Sequence, residues 1–366
     1  MRTMNKNNYC VIMAGGIGSR FWPYSRTQKP KQFLDILGTG KTLLQQTFNR
    51  FSDICPEENI LIVTNADYKD LVLEQLPGIK PSNILLEPLR KNTAPCIAYA
   101  NYKINKINPN ACIVVAPSDH LILKEKQFKD RIEEGFRFVM NRDVLLTLGI
   151  KPDRHETGYG YIQISNGEVA DTSDNLSKVK TFTEKPDYEL AKVFYESGEF
   201  FWNSGIFIWS LNSIMKSFNK HLTEVDNIFR EGIKFYNTDK EDEFILKTYS
   251  KCKNISIDYG IMEKADNVYV LCSDFGWSDL GTWGSLYEKL KKDKNNNTLT
   301  GQNIFDYDVK NSIVRVSDDK LVVLQDLEDY IVIDTDDILL ICKKRDEQKI
   351  KQFVNDIKLS KGDEYI

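Results

Sequence analysis

Apolar residues in the first two-thirds of the chain gather into short runs: YCVIMA (9–14), NILIVTN (59–65), NILLEP (83–88), CIVVAPSDH (112–120) and VLLTLGI (144–150). Their apolarity is continuous rather than alternating and much of it is β-branched, which predicts strands buried on both faces. Between them, TLLQQTFNRF, ADYKDLVLEQL, APCIAYANYKINK and KQFKDRIEEGFRFVMN carry helical spacing. Strand and helix in alternation predict βαβ units around a covered sheet. From Gly158 to Trp209 the pattern changes. YGYIQIS, VKTFTEKPD and GIFIWS read as strands with turns between, an antiparallel insertion, and residues 211–250 read as helical. KLKKDKNNNTLTGQN (289–303) reads as a linker, a charge run followed by Asn, Thr and Gly. Beyond it, 303–342 is nearly continuous short strand and turn, and RDEQKIKQFVNDIKLS predicts a closing helix. No internal repeat is visible by eye.

Composition narrows the function. The length of 366 residues suits about two domains. Lys and Arg total 49 against 53 Asp and Glu, a net charge of -4, which argues against a nucleic-acid partner. An anion must therefore be met by a local cluster of cations. No apolar run approaches the roughly 18 residues of a membrane span, and MRTMNKNN has no apolar stretch behind its charges. The seven cysteines form no CxxC pair, which points to reduced thiols and a cytoplasmic protein. The three histidines are scattered and read as structural or solvent-facing.

The stretch IMAGGIGSRFWPYSRTQKPKQF (12–33) follows the first strand directly. A dinucleotide fingerprint starting at Gly16 and Gly18 would need a third glycine where Phe21 stands. A P-loop ending in GKT at Gly40–Thr42 would need glycine where Asp35 stands, so that GTG reads as a turn. What remains is AGGIGSR followed by PKQF. Gly15, Gly16 and Gly18 let backbone N–H groups approach an anion closely. Arg20 offers a guanidinium fork and Lys31 a point charge, a pairing suited to a triphosphate. A glycine turn with solvated basic residues is the plainer alternative.

Other clusters are legible on their chemistry. Asp119 closes a strand run at its carboxyl end, where open α/β sheets bind ligands, and Asp279 lies in the turn-like FGWSDLGTW. Two such carboxylates suit Mg²⁺, which takes one or two plus phosphate oxygens and water. A helix cap and a surface turn account for the same two residues. Asn203 offers both a donor and an acceptor to a hydroxyl-rich ring. Gly158 and Gly160 permit backbone approach to such a ring. Asp258 could bind a hydroxyl, and a structural turn explains it nearly as well. Asn92 and Thr93 read as a helix N-cap with Pro95 in the first turn. Lys185 stands at a strand end, a position many solvated lysines occupy.

GGIGSRFWPYSRTQKPKQF resembles the signature loop of the sugar-1-phosphate nucleotidylyltransferases, and its PKQF resembles the mannose-1-phosphate guanylyltransferase branch. EPLRKNTAP, APSDH, TGYGYI, EKPD, FWNSGIFIW, IDYGIMEKA and FGWSDLGTW follow in that family's order, from residue 12 to 283. Ser19, Phe21 and Tyr24 stand where Thr, Leu and Leu are commoner, and Gly260 where Ala is frequent. None of these departures removes a charge.

The resemblance implies a Rossmann-like mixed α/β sheet of GT-A-like type over residues 1–293. A small β-rich domain, left-handed β-helix-like and supporting a homodimer, would follow over 294–366. It implies a reaction of GTP with mannose 1-phosphate giving GDP-mannose and diphosphate, with Mg²⁺ held by Asp119 and Asp279. Arg20, Lys31 and Lys185 would be catalytic, with Lys185 reaching the sugar's phosphate. Ala14, Gly15, Gly16, Gly18, Ser19, Glu87, Asn92, Thr93 and Ser118 would bind nucleotide, the EPLRKNTAP segment lining the guanine pocket. Gly158, Tyr159, Gly160, Glu184, Asn203 and Asp258 would bind sugar. Alternatives are another sugar 1-phosphate of fucose or heptose type, or a silent regulatory subunit that senses nucleotide sugar. Longer relatives carry an isomerase domain, and a chain of this length is expected to lack it.

Overall fold

A computed structural model of the chain describes residues 4–169 and 175–366, with the side chains of 166–169 left undescribed. The chain divides into two compact units, one of residues 1–15, 44–118 and 122–277 and the other of 16–43, 119–121 and 278–366.

The first unit is built on nine strands: β1 (Asn8–Met13), β2 (Ile60–Asn65), β3 (Ile84–Glu87), β4 (Cys112–Pro117), β5 (Leu145–Ile150), β6 (Tyr161–Val169), β7 (Leu176–Thr183), β8 (Phe200–Ser210) and β9 (Val268–Ser273). They order as β3-β2-β1-β4-β8-β5-β9-β7-β6, with β8 also pairing β6. β1, β2, β3 and β4 run parallel, as the continuous apolar runs predict. β8 is antiparallel to both β4 and β5, and β7 is antiparallel to β6 and β9, so that the sheet is mixed. β2 and β5 are buried along their whole length. A strand covered on both faces has no polar side to alternate with.

Helices Leu43–Ser52, Lys69–Gln75, Thr93–Ile107 and Glu125–Val139 occupy the segments with helical spacing. The 211–250 stretch resolves into three helices, Leu211–His221, Thr223–Arg230 and Glu241–Lys251. Buried charges fix the second and third against Thr93–Ile107. Asp226 accepts from Tyr102 Oη at 2.6 Å, and Lys103 Nζ meets both oxygens of Glu241 at 2.6 and 2.7 Å. Of the seven cysteines, five are buried and all are unpaired. No described helix is long and apolar enough to cross a membrane.

The second unit joins the signature loop to the carboxyl-terminal strands through one core. Phe21, Trp22, Leu280, Trp283, Ile313, Ile331, Ile333 and Ile350 pack together in it. Thr298–Thr300, Ile313–Arg315 and Tyr330–Asp334 pair in parallel, and Leu339–Lys343 adds an antiparallel edge. Ile304–Tyr307 pairs in parallel with Val322–Gln325. Parallel rungs from segments close in sequence are the pattern of a β-helix. A 3₁₀ turn over Lys344–Lys349 leads into the closing helix, Ile350–Lys361.

The Asn-rich stretch read as a linker is packed rather than loose. Asn297 is buried, its amide donates to Val309 O at 2.8 Å, and its carbonyl accepts from Ser312 N at 3.0 Å. Asp293 accepts from the N–H groups of Asn295 and Asn297. Asn and Asp favour turns because their side chains bond to nearby backbone, and here they use that ability to start a packed module.

Candidate active site

In the first unit, β1 delivers the start of the glycine loop to the carboxyl edge of the sheet. Ala14 N–H donates to Val63 O at 2.7 Å, and Thr64 Oγ1 donates to Ala14 O at 2.8 Å. Ser118 N–H donates to Met13 O at 3.0 Å. Ala14 and Ser118, both expected at the nucleotide, thus extend neighbouring strands. Gly15 passes over Glu87 so closely that a Cβ there would lie 3.3 Å from Oε2. Glu87 is buried and accepts from Tyr249 Oη at 3.0 Å. Burial pushes its carboxyl up to about 7, against the opposing pull of Tyr249 and Arg90.

Asn92 caps helix Thr93–Ile107 from a left-handed backbone, φ 67°, its side chain accepting from Thr93 N–H. Thr93 Oγ1 accepts from Ile257 N–H at 2.8 Å, tying this turn to the segment that carries Asp258.

The sugar-side residues gather around Asn203. Its Nδ2 donates to Asp258 Oδ1 at 3.0 Å, its Oδ1 accepts from Thr147 Oγ1 at 3.0 Å, and its N–H donates to Gly160 O at 2.8 Å. A Cβ on Gly160 would displace the Glu184 carboxylate, whose Oε2 stands in its place. Gly158 N–H donates to Glu156 Oε1 at 3.0 Å. Tyr159 is buried edge-on between Trp202 and Trp277, and its carbonyl accepts from Lys185 N–H. Lys185 itself has a left-handed backbone, φ 49°. Its ammonium pairs with Glu184 and stays 59% exposed, whereas Glu184 is 10% exposed. Burial, and then repulsion from Glu184, pushes the Asp258 carboxyl up to about 7.

In the second unit, Gly18, Ser19, Arg20, Lys31, Asp119 and Asp279 line one cavity of about 270 Å³. Gly18 has φ 65°, and a Cβ there would lie 2.7 Å from Lys31 Cβ, so the position admits only glycine. Lys31 is 5% exposed and its ammonium makes three contacts, with Asp119 Oδ2 at 2.8 Å, Asp279 O at 2.8 Å and Leu280 O at 3.0 Å. An ammonium has three N–H donors, so all are engaged. Burial raises the Asp119 carboxyl, but the charges of Lys31 and His120 outweigh it and hold it below its ordinary value. Asp279 Oδ1 accepts from Gly281 N–H at 2.9 Å. Arg20 Nε is buried with no hydrogen-bond partner among the described residues. An unpaired guanidinium N–H beside a glycine loop is costly unless an anion fills the place.

No group of three or more metal-ligating side chains forms among the described residues. Two carboxylates on one cavity beside anion-seeking donors fit a hard divalent ion that completes its shell with phosphate oxygens and water. Two titratable lining residues escape the sequence reading. His120 reads there as structural or solvent-facing, although it adjoins Asp119, and Lys351 comes from the closing helix with no motif to mark it.

Residues 9–296 match the family model for nucleotidyl transferase, and 302–357 match that for the MannoseP isomerase/GMP-like beta-helix domain. The chain belongs to the nucleotidyl transferase family and is a sugar-1-phosphate nucleotidyltransferase. Within it, the similarity is to mannose-1-phosphate guanylyltransferases. Mannose-1-phosphate guanylyltransferase 2 of Escherichia coli O157:H7 is 36% identical over 372 residues, covering 97% of this chain and 74% of the relative. The alginate biosynthesis protein AlgA of Pseudomonas aeruginosa is 34% identical, covering 95% and 71%. A crystal structure described as a mannose-1-phosphate geranyltransferase from Thermus thermophilus matches with a TM-score of 0.85 at 27% identity, covering 96% of this chain and 99% of that one.

Proposed function

We propose that the chain joins GTP to mannose 1-phosphate, giving GDP-mannose and diphosphate. The observation that carries this is the cavity in which a glycine loop, the unpaired Arg20 Nε and the Asp119 and Asp279 carboxylates meet. The relatives' names supply the sugar and the base. Glu87 supports guanine, since a carboxylate can accept from guanine's adjacent N1–H and 2-amino donors, whereas adenine's N1 is itself an acceptor and it has no 2-amino group.

The second pKa of a phosphate monoester is roughly 6, so the sugar phosphate is mostly dianionic at neutral pH and attacks without a general base. Two like charges about 4 Å apart repel by roughly 4 kcal/mol at an effective dielectric near 20, which opposes in-line approach. Arg20 offsets that repulsion on the nucleotide side, and Lys185 does so on the sugar side. Asp119 and Asp279 would hold Mg²⁺, which when bound supplies further charge neutralisation at the phosphates. Lys31 keeps those two segments in register. Glu184, Asn203, Asp258 and the backbone at Gly158–Gly160 offer donors and acceptors for sugar hydroxyls. We take residues 1–293 as the catalytic domain and 294–366 as the β-rich domain of a cytoplasmic homodimer.

The test is a panel of nucleoside triphosphates against mannose, glucose, fucose and heptose 1-phosphates, read by diphosphate release. GTP with mannose 1-phosphate is expected to give the highest kcat/KM. A different preferred pair would overturn the substrate assignment, and no release with any pair would favour a silent regulatory subunit.

A further inference from the structure

Three features of the second unit bear on who holds the triphosphate. Lys31 has no donor to spare, since all three are committed to Asp119, Asp279 and Leu280. Arg20 and Lys31 together only balance the charges of Asp119 and Asp279, so those four side chains leave the cavity formally neutral. Mg²⁺ on the two carboxylates would offset only part of a nucleoside triphosphate's charge, so that a further cation is favoured there. Lys351 lines the same cavity and supplies it.

The fold holds Lys351 in place by construction. Its neighbour Ile350 is fully buried in the core that contains Phe21, Trp22, Leu280 and Trp283, and the closing helix packs on the Ser19–Phe21 turn. One turn upstream, Glu347 accepts from Gly284 N–H at 2.7 Å, beside the segment that carries Asp279. Beyond the helix, Tyr365 O accepts from Trp22 Nε1 at 2.7 Å. The carboxyl-terminal segment thus grips both the glycine loop and the Asp279 turn, and Lys351 stands between those grips.

We infer that Lys351 is a phosphate-binding residue of the transferase site, directed at the β- and γ-phosphates and the diphosphate they become. This rests on the nucleotidyl-transfer reading of the cavity, and it gives the β-rich module a share in catalysis. Lys351 is exposed, so its replacement leaves the core intact. The test compares wild type with Lys351→Ala and Lys351→Arg as full chains, titrated calorimetrically with inorganic diphosphate and with GTP in the presence of Mg²⁺. Lys351→Ala is expected to weaken diphosphate binding about 10-fold and raise KM for GTP similarly, with KM for the sugar phosphate unchanged. Lys351→Arg should recover most of the loss. Equal diphosphate affinity in wild type and Lys351→Ala overturns the inference. Should wild type prefer another base or sugar, the diphosphate titration still reads Lys351 separately from that assignment.

Discussion

Around Lys31 a buried ammonium pairs with the Asp119 carboxylate, which is held ionised, and donates to the backbone carbonyl of Asp279. Around Asn203, by contrast, Asp258 and Glu184 lie near each other with an exposed lysine as the nearby cation, and Asp258 is pushed toward neutrality. The difference follows the chemistry each cluster faces. A polyanion needs charges that stay fixed whatever the pH, and desolvated pairs on a rigid loop provide them. A ring of hydroxyls needs groups that can donate or accept, which a carboxyl near half-protonation can do in either direction.

The largest effect is expected on removing either carboxylate that lines the Lys31 cavity. Asp119→Ala or Asp279→Ala should lower kcat by at least about 10³-fold, measured by diphosphate release, with folding retained by circular dichroism. Near-normal turnover in either variant would take that residue out of the metal pair. Lys31→Met comes next. It should cost about 10²-fold in kcat and lower Tm, because it takes from the half-buried Asp119 carboxylate and two backbone carbonyls the donor that they share. If it raised only KM for GTP, Lys31 would be a phosphate ligand rather than a pin.

On the other side, Lys185→Ala should raise KM for the sugar phosphate about 10-fold and leave KM for GTP unchanged. A defect confined to GTP would contradict its placement. The smallest effect is on stability. Asp258 binds its proton more tightly in the folded state than in the unfolded one, so folding is favoured at low pH and weakens as pH rises from about 3.8 through about 7. Asp258→Asn should shrink that decline and leave the part due to Glu87, whose carboxyl is raised likewise, read as Tm at intervals from pH 4 to 8. An unchanged slope would mean that the carboxyl is not buried against Glu184.

Much of this was legible in sequence, and the reasons are physical. β2 and β5 announce themselves because burial on both faces leaves no polar position to confuse the pattern. Gly18 and Lys31 stand thirteen residues apart, yet composition flags both, one for its backbone freedom and one for its charge. Lys351 carries no such flag. It is one lysine on a helix rich in them, and only the packing of Ile350 turns it toward the cavity. The 211–250 region shows helical spacing but hides its breaks, which fall at Leu222, where φ is -133°, and around Asn237, where φ is 61°. The three-donor geometry of Lys31 is equally invisible to spacing, since two of its acceptors are backbone carbonyls.

The buried Asn297 amide carries a practical lesson for anyone engineering this chain. A run of asparagines looks like a safe seam for a protease site, an inserted tag or separate expression of two halves. Here that seam is a keystone: cutting or padding it would pull an amide from the first rung of the β-rich stack and leave Val309 and Ser312 facing a gap.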